Sequence, residues 1–203
     1  ILDGFHTQEN WLMYQQQKVL NLTDTQLMGK HNLENIGAVL TVCKQLELDI
    51  NECVDALKSF KPLAHRLQNL GKIGQYFAIN DSISTTPIAT LAAMQTVDLT
   101  KTTLFVGGFD RGNDWTEFAG LLNQSPPNLL IISGQNGTAI FNQLKQLNAQ
   151  FNFVMRKNLS EAIRYAISHT PPNHTLLLSP GAPSFDQFKD YIITGIKNVV
   201  MDS

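Results

Sequence analysis

Beyond residue 70 the sequence carries five short apolar runs: Tyr76-Phe77-Ala78-Ile79, Thr103-Leu104-Phe105-Val106, Leu129-Leu130-Ile131-Ile132, Phe151-Asn152-Phe153-Val154 and Leu176-Leu177-Leu178. Runs of this length suit strands. Most of them lack an alternating polar face, so both sides of each strand must be covered. Segments with helical spacing separate them, near 87–96, 114–123, 136–147, 158–168 and 185–198. Regular strand–helix alternation predicts an α/β fold, a Rossmann-like, doubly wound and mainly parallel sheet. In such a sheet the loops at the carboxyl ends of the strands gather on one edge, where ligands bind.

The first 62 residues have another rhythm. Trp11-Leu12-Met13-Tyr14 and Lys18-Val19-Leu20-Asn21-Leu22 read as strands around polar Gln15-Gln16-Gln17, which predicts a hairpin. Leu33, Ile36, Leu40, Cys43 and Leu46 follow the 3.6-residue period, predicting a helix over about 31–46. A second helix is expected over 51–59, with Asn51 as its cap. Phe60-Lys61-Pro62-Leu63 ends it, because the residue before a proline is pushed out of helical geometry. The expected domains are therefore 1–62 and 63–203.

Composition narrows the function classes. A formal net charge of -2 provides no basic field for nucleic acid and no polybasic membrane anchor. No apolar run approaches the roughly 18 residues of a membrane span, and no signal peptide is recognisable. Cys43 and Cys53 form no CxxC pair and read as reduced structural residues, which suits a cytoplasmic setting. The chain opens on Ile1 without an initiator Met, as a processed or cut fragment would. His6, His31, His65, His169 and His174 are scattered; the last two flank Pro171-Pro172 and are expected to be exposed. No metal-ligand spacing occurs within the chain.

Three strand-end loops hold the residues suited to chemistry. They are Asn80-Asp81-Ser82-Ile83-Ser84-Thr85-Thr86-Pro87, Gly107-Gly108-Phe109-Asp110-Arg111-Gly112, and Ser179-Pro180-Gly181-Ala182-Pro183-Ser184-Phe185-Asp186-Gln187-Phe188. Hydroxyls and unpaired N–H groups at a helix start suit a carboxylate or phosphate, and Arg111 offers a planar fork for a carboxylate. Paired glycines permit a tight turn and close approach to a ligand. Each feature also has a plain structural reading, as cap, turn or solvated surface residue. A GxGxxG fingerprint is missing after the first strand, which argues against an oxidoreductase; Gly134-Gln135-Asn136-Gly137 reads as a turn leading into a helix. GxSxG, HExxH and GxxxxGK[ST] are also absent.

Five segments, in order, resemble the Mur ligase family. Gly29-Lys30-His31-Asn32-Leu33-Glu34-Asn35 resembles its HNxxN helix start, and Ala64-His65-Arg66 its HR pair. Asn80-Asp81-Ser82 followed by Thr85 resembles its NDS-x-x-T loop, and Gly107-Gly108 with Arg111 its GG loop. Leu178-Ser179-Pro180 through Ser184-Phe185-Asp186-Gln187-Phe188 resembles the LSPxxxSxDQF signature, pointing to the glutamate-adding MurD branch. The resemblance implies an ATP-dependent amide ligase of peptidoglycan synthesis, acting on UDP-N-acetylmuramoyl-L-alanine and glutamate through an acyl phosphate. It implies that 1–62 is the tail of the central ATP-binding domain and 63–203 the glutamate-binding carboxyl-terminal domain. The UDP-binding domain, the phosphate loop and the Mg2+ ligands would then lie upstream.

Carried over residue by residue, the resemblance assigns His31, Asn32, Asn35, Arg66 and Asp81 to ATP, with Asn35 at the adenine and Asp81 at the ribose. Arg66 would approach the phosphates, and with Arg111 would be catalytic. Thr85, Arg111, Ser184, Phe185 and Tyr191 would line the glutamate pocket. His31 and Asn32 have helix capping as their alternative role, and residues near 60–66 would be a hinge for domain closure. Ile83 stands where the family usually has Lys. Loss of a charge-assisted hydrogen bond there would remove about 1.5–3 kcal/mol. D-glutamate is the first expectation, and Ile83 motivates two alternatives, an L-glutamate-adding ligase and a non-catalytic α/β binding module.

Overall fold

The structure, a computed structural model, describes residues 4–183. The chain divides into two compact units, Ile1–Pro62 and Leu63–Ser203.

In the first unit, β1 (Phe5–Gln8), β2 (Trp11–Tyr14) and β3 (Gln17–Asn21) form an antiparallel sheet in sequence order. Gln15 and Gln16 both take positive φ, 45° and 66°, as the tight two-residue turn of a hairpin requires. The β1 strand was not legible in the sequence: Phe5-His6-Thr7-Gln8 has one apolar residue, and pairing with β2 and packing of Phe5 on Tyr14 hold it. The α1 helix (His31–Gln45) buries Leu33, Ile36, Gly37 and Leu40, which pack with Leu12, Leu20 and Val54 into one core. The α2 helix (Ile50–Ser59) starts one residue earlier than expected, and its cap is Asp49 rather than Asn51. Asp49 has extended backbone, and its Oδ1 accepts from Asn51 N at 2.7 Å and Glu52 N at 3.3 Å; Asn51 already lies inside the helix. Cys43 and Cys53 are free and half-buried. Burial and a hydrogen bond with Cys43 push the Cys53 thiol up, away from the reactive thiolate.

The second unit is built on a six-stranded sheet in the order β4-β5-β9-β6-β7-β8. Its strands are β4 (Gln68–Ile73), β5 (Tyr76–Asn80), β6 (Thr102–Val106), β7 (Leu129–Ile132), β8 (Phe153–Met155) and β9 (Thr175–Leu178). The last five are parallel and β4 is antiparallel to β5, so the mainly parallel sheet is present with one extra edge strand. The sequence hid β4 because Gly71 interrupts it at a register shift and its side chains are half-buried at most. Four helices connect the strands: α3 (Pro87–Met94), α4 (Thr116–Gln124), α5 (Gly137–Gln146) and α6 (Leu159–His169). On one face Leu159, Ala162, Ile163 and Ala166 of α6 pack on Ala78, Phe105, Ile131, Leu176 and Leu178. The alternate residues Ile79, Leu104, Leu130, Ile132 and Leu177 point to the opposite face and are equally buried. His174 is half-buried rather than exposed, because its carbonyl accepts from Phe77 N at 3.0 Å as the chain enters β9. The helix expected over 185–198 lies outside the described residues.

Candidate functional site

Because β9 lies between β5 and β6, the loop that follows it is flanked by the loops that follow those two strands. Backbone hydrogen bonds join it to both. Asp81 N donates to Leu178 O at 2.8 Å, Gly107 N to Pro180 O at 2.8 Å, and Phe109 N to Pro183 O at 2.6 Å. Asn136, at the start of α5, adds a fourth loop: its Oδ1 accepts from Gly108 N at 2.8 Å. Three loops singled out in the sequence thus share the carboxyl-terminal edge of the sheet.

The glycine pair in this edge approaches protein rather than open space. A Cβ on Gly107, whose φ is 99°, would run into the Ser133 carbonyl oxygen; one on Gly108 would meet the Pro183 carbonyl. Close approach was the expected use of Gly107 and Gly108, and here the approaching partner is the backbone of the neighbouring loops.

The Arg66 segment is strapped to the same edge. His65 and Leu67 both take positive φ, 65° and 43°. Asn80 Nδ2 donates to His65 Nδ1 at 2.9 Å, Ile83 N to His65 O at 3.2 Å, and Leu67 N to Asp81 Oδ1 at 3.0 Å. Arg66 is exposed beside Asp81 and interacts with it electrostatically. The Asp81 carboxyl is 5% exposed, and Ser179 Oγ donates to its Oδ2 at 2.7 Å. Burial pushes this carboxyl above the usual carboxylate range, while hydrogen bonds from Ser179, Leu67 and Ser84, and the Arg66 charge, act the other way.

The remaining assigned residues are placed as follows. Thr85 is half-buried just before α3, whose first turn is capped by Thr86 Oγ1 accepting from Ala89 N at 3.3 Å. Arg111 is exposed on the loop after β6, and Ile83 is 38% exposed. Ser184, Phe185 and Tyr191 lie outside the described residues. In the first unit, His31, Asn32 and Asn35 stand on the first turns of α1. Asn32 caps no N–H; its Nδ2 donates to Met28 O at 2.7 Å, and its Oδ1 accepts from Asn35 Nδ2 at 3.2 Å. Sequence reasoning missed Thr90, read Asn136 only as part of a turn and gave Ser84 no role beyond its loop; all three are buried polar residues at this edge. The signal for Thr90 was a hydroxyl inside the apolar stretch Ile88-Ala89-Thr90-Leu91-Ala92-Ala93. Ser82 Oγ and Trp115 Nε1 are buried without a hydrogen-bond partner among the described residues, so a bound molecule could use them. No cluster of three His, Cys, Asp or Glu able to hold a metal ion occurs among the described residues.

No family model matches the chain. Among curated proteins, it is 39% identical over 196 residues to the UDP-N-acetylmuramoyl-L-alanine--L-glutamate ligase of Xanthomonas campestris pv. campestris (strain 8004), covering 95% of this chain and 42% of the relative. Over nearly its whole length the chain is thus similar to a part of this ligase. A UDP-N-acetylmuramoylalanine--D-glutamate ligase of Francisella tularensis subsp. holarctica (strain FTNF002-00 / FTA) is 34% identical over 179 residues, covering 88% of this chain and 42% of the relative. The chain therefore spans about two fifths of the length of the curated relatives it matches. The fold agrees with that of solved Mur ligases, whose carboxyl-terminal part it matches. One is the UDP-N-acetylmuramoylalanyl-D-glutamyl-2,6-diaminopimelate--D-alanyl-D-alanyl ligase of Acinetobacter baumannii, at TM-score 0.70 and 15% identity, covering 95% of this chain and 41% of that one. Another is the MurF ligase of Thermotoga maritima in complex with ADP, at TM-score 0.60 and 14% identity, covering 86% and 40%.

Proposed function

We propose that this chain is part of an ATP-dependent ligase that joins glutamate to UDP-N-acetylmuramoyl-L-alanine in peptidoglycan synthesis. The observation that carries the reading is one sheet edge holding Arg66, Asp81, Thr85 and Arg111, in a chain whose relatives are glutamate ligases. In this reading 1–62 is the end of an ATP-binding domain, 63–203 is the glutamate-binding domain, and the protein works in the cytoplasm. Among the described residues, no helix is long and apolar enough to cross a membrane.

ATP would phosphorylate the substrate carboxylate, giving an acyl phosphate and ADP. The glutamate amine would then attack the acyl carbon, and phosphate would leave from the tetrahedral intermediate. Such chemistry asks a protein chiefly for positioning and charge stabilisation. Arg66 would face the nucleotide phosphates, Asp81 the ribose and Asn35 the adenine, with His31 and Asn32 beside it. Thr85 and Arg111 would hold the carboxylates of glutamate, together with Ser184, Phe185 and Tyr191. Mg2+, if used, would take its ligands from the upstream part of the longer polypeptide, as the resemblance implies.

For the incoming amino acid we favour L-glutamate. The relatives named for it reach 36–39% identity, above the 34% of the relative named for D-glutamate. Ile83, in the loop beside Thr85, stands where the family usually has a Lys. The test is phosphate release by the longer polypeptide with ATP, Mg2+, UDP-N-acetylmuramoyl-L-alanine and either enantiomer. Turnover with L-glutamate alone is expected. Turnover with D-glutamate alone would reverse the stereochemical assignment, and none with either would overturn the ligase reading in favour of the non-catalytic module.

A further inference from the structure

Behind Asp81 lies a series of buried hydroxyls that the functional reading has not used. Ser179 and Thr90 are fully buried and Ser84 nearly so. Ser179 Oγ is 2.7 Å from Asp81 Oδ2 and 3.2 Å from Thr90 Oγ1; Thr90 Oγ1 is 3.1 Å from Ser179 O and 3.4 Å from Ser84 Oγ. Each hydroxyl has one proton, which fixes the direction of the series. The Ser179 proton goes to the carboxylate, the shorter and charge-assisted contact. The Thr90 proton goes to the Ser179 carbonyl. The Ser84 hydroxyl, 3.4 Å from Thr90 Oγ1, also bonds the Asp81 carboxyl. On the other carboxylate oxygen, Leu67 N donates at 3.0 Å. With Leu67 N, Ser179 Oγ and Ser84 Oγ as donors the plane of the carboxylate is set, and of its about four lone-pair sites one remains for a further donor.

Three chain segments meet in this arrangement: the end of β5, the middle of α3 and the end of β9. A ligand-contacting side chain is useful only when its rotamer is locked by such neighbours. We propose that Ser179, backed by Thr90, is a positioning residue that holds the Asp81 carboxylate in the orientation that accepts hydrogen bonds from the nucleotide ribose. This rests on the assignment of Asp81 to the ribose.

The test measures dissociation constants of the longer polypeptide for ATP, 2′-deoxy-ATP and 3′-deoxy-ATP by titration calorimetry. The unsubstituted protein should prefer ATP over at least one deoxy analogue by about tenfold or more, as expected when a charged hydrogen bond is lost. Asp81→Asn should bring that ratio down. Ser179→Ala and Thr90→Val should also bring it to within about threefold of unity, and Ser179→Thr, which keeps the hydroxyl, should restore it. A merely structural serine would change affinity for all three nucleotides equally and leave the ratio alone. If Ser179→Ala does not fold, the isosteric Thr90→Val carries the measurement. A ratio lost in Asp81→Asn but kept in the Ser179 and Thr90 variants overturns the inference by itself. A ratio near unity in the unsubstituted protein, or one unchanged in Asp81→Asn, overturns the ribose assignment and the inference with it.

Discussion

Replacing Asp81 by Asn and by Ala separates the cost of its buried charge from the value of its hydrogen bonds. The carboxyl is 5% exposed, with Leu67 N donating to Oδ1 and Ser179 Oγ to Oδ2. Alanine would orphan both donors in a buried place, at about 1–3 kcal/mol each, partly offset by relief of the buried charge; a loss of roughly 2–4 kcal/mol is expected. Asparagine keeps the acceptor for Leu67 N. Its amide can donate to Ser179 Oγ, whose proton then turns to Thr90 Oγ1, 3.2 Å away. At neutral pH asparagine should therefore lie within about 1 kcal/mol of the parent. The pH dependence carries the sign. Burial raises the folded-state pKa of Asp81 above its ordinary value, so the folded chain holds this proton more tightly than the unfolded one. The stability contributed by the protonated carboxyl is full below the ordinary carboxylate pKa and is lost as pH rises through the raised value. Relative to Asp81→Asn, the parent should thus weaken across that window and level off above it. Urea unfolding of the 203-residue chain, in a Trp11→Phe background so that buried Trp115 reports the second unit, measures all three proteins. A parent that gains stability over Asp81→Asn as pH rises, or an alanine variant as stable as asparagine, would refute the reasoning.

Asp49→Ala should destabilise the first unit by about 0.5–2 kcal/mol while Asn51→Ala costs less than about 0.5, a comparison that circular dichroism on urea titration can make. Gly107→Ala joins a strained φ to a collision with the Ser133 carbonyl and should cost about 2–4 kcal/mol, read by the Trp115 unfolding transition. Leu130→Ala opens a cavity in a strand covered on both faces and should cost about 2–5 kcal/mol by the same measurement. Ile83→Lys, at a 38% exposed position, should change stability by less than about 0.5 kcal/mol. It should shift the enantiomer preference of the longer polypeptide toward D-glutamate by tenfold or more if the new ammonium makes a charge-assisted bond of about 1.5–3 kcal/mol. An unchanged preference would remove Ile83 from the determinants of stereochemistry.

The parallel strands and the helices between them were legible because period and composition are local. Leu129-Leu130-Ile131-Ile132 is apolar on both faces whatever its neighbours, and that pattern has few folded solutions. Strands held by their partners were invisible for the same reason: Phe5–Gln8 and Gln68–Ile73 bury little of their own and exist through pairing with β2 and β5. The Asp49 cap was missed through boundary placement, since Asp49 and Asn51 are both good caps and only backbone geometry chooses between them.

The same division runs through the candidate site. The sequence by itself determined which loops carry hydroxyls, glycines, carboxylate and guanidinium, because motif order along the chain is a one-dimensional property. That β9 returns between β5 and β6, bringing Ser179 to Asp81 and Pro180 to Gly107, was decided by tertiary structure. Residues 81 and 179 are far apart along the chain, and local preference contains no information about which strands become neighbours. Tertiary structure also decided that Gly107 and Gly108 make room for backbone, and that Thr90, one hydroxyl in an apolar helix, supports a carboxylate two elements away. A buried polar group survives only where the fold supplies its partner, and that partner was chosen in three dimensions.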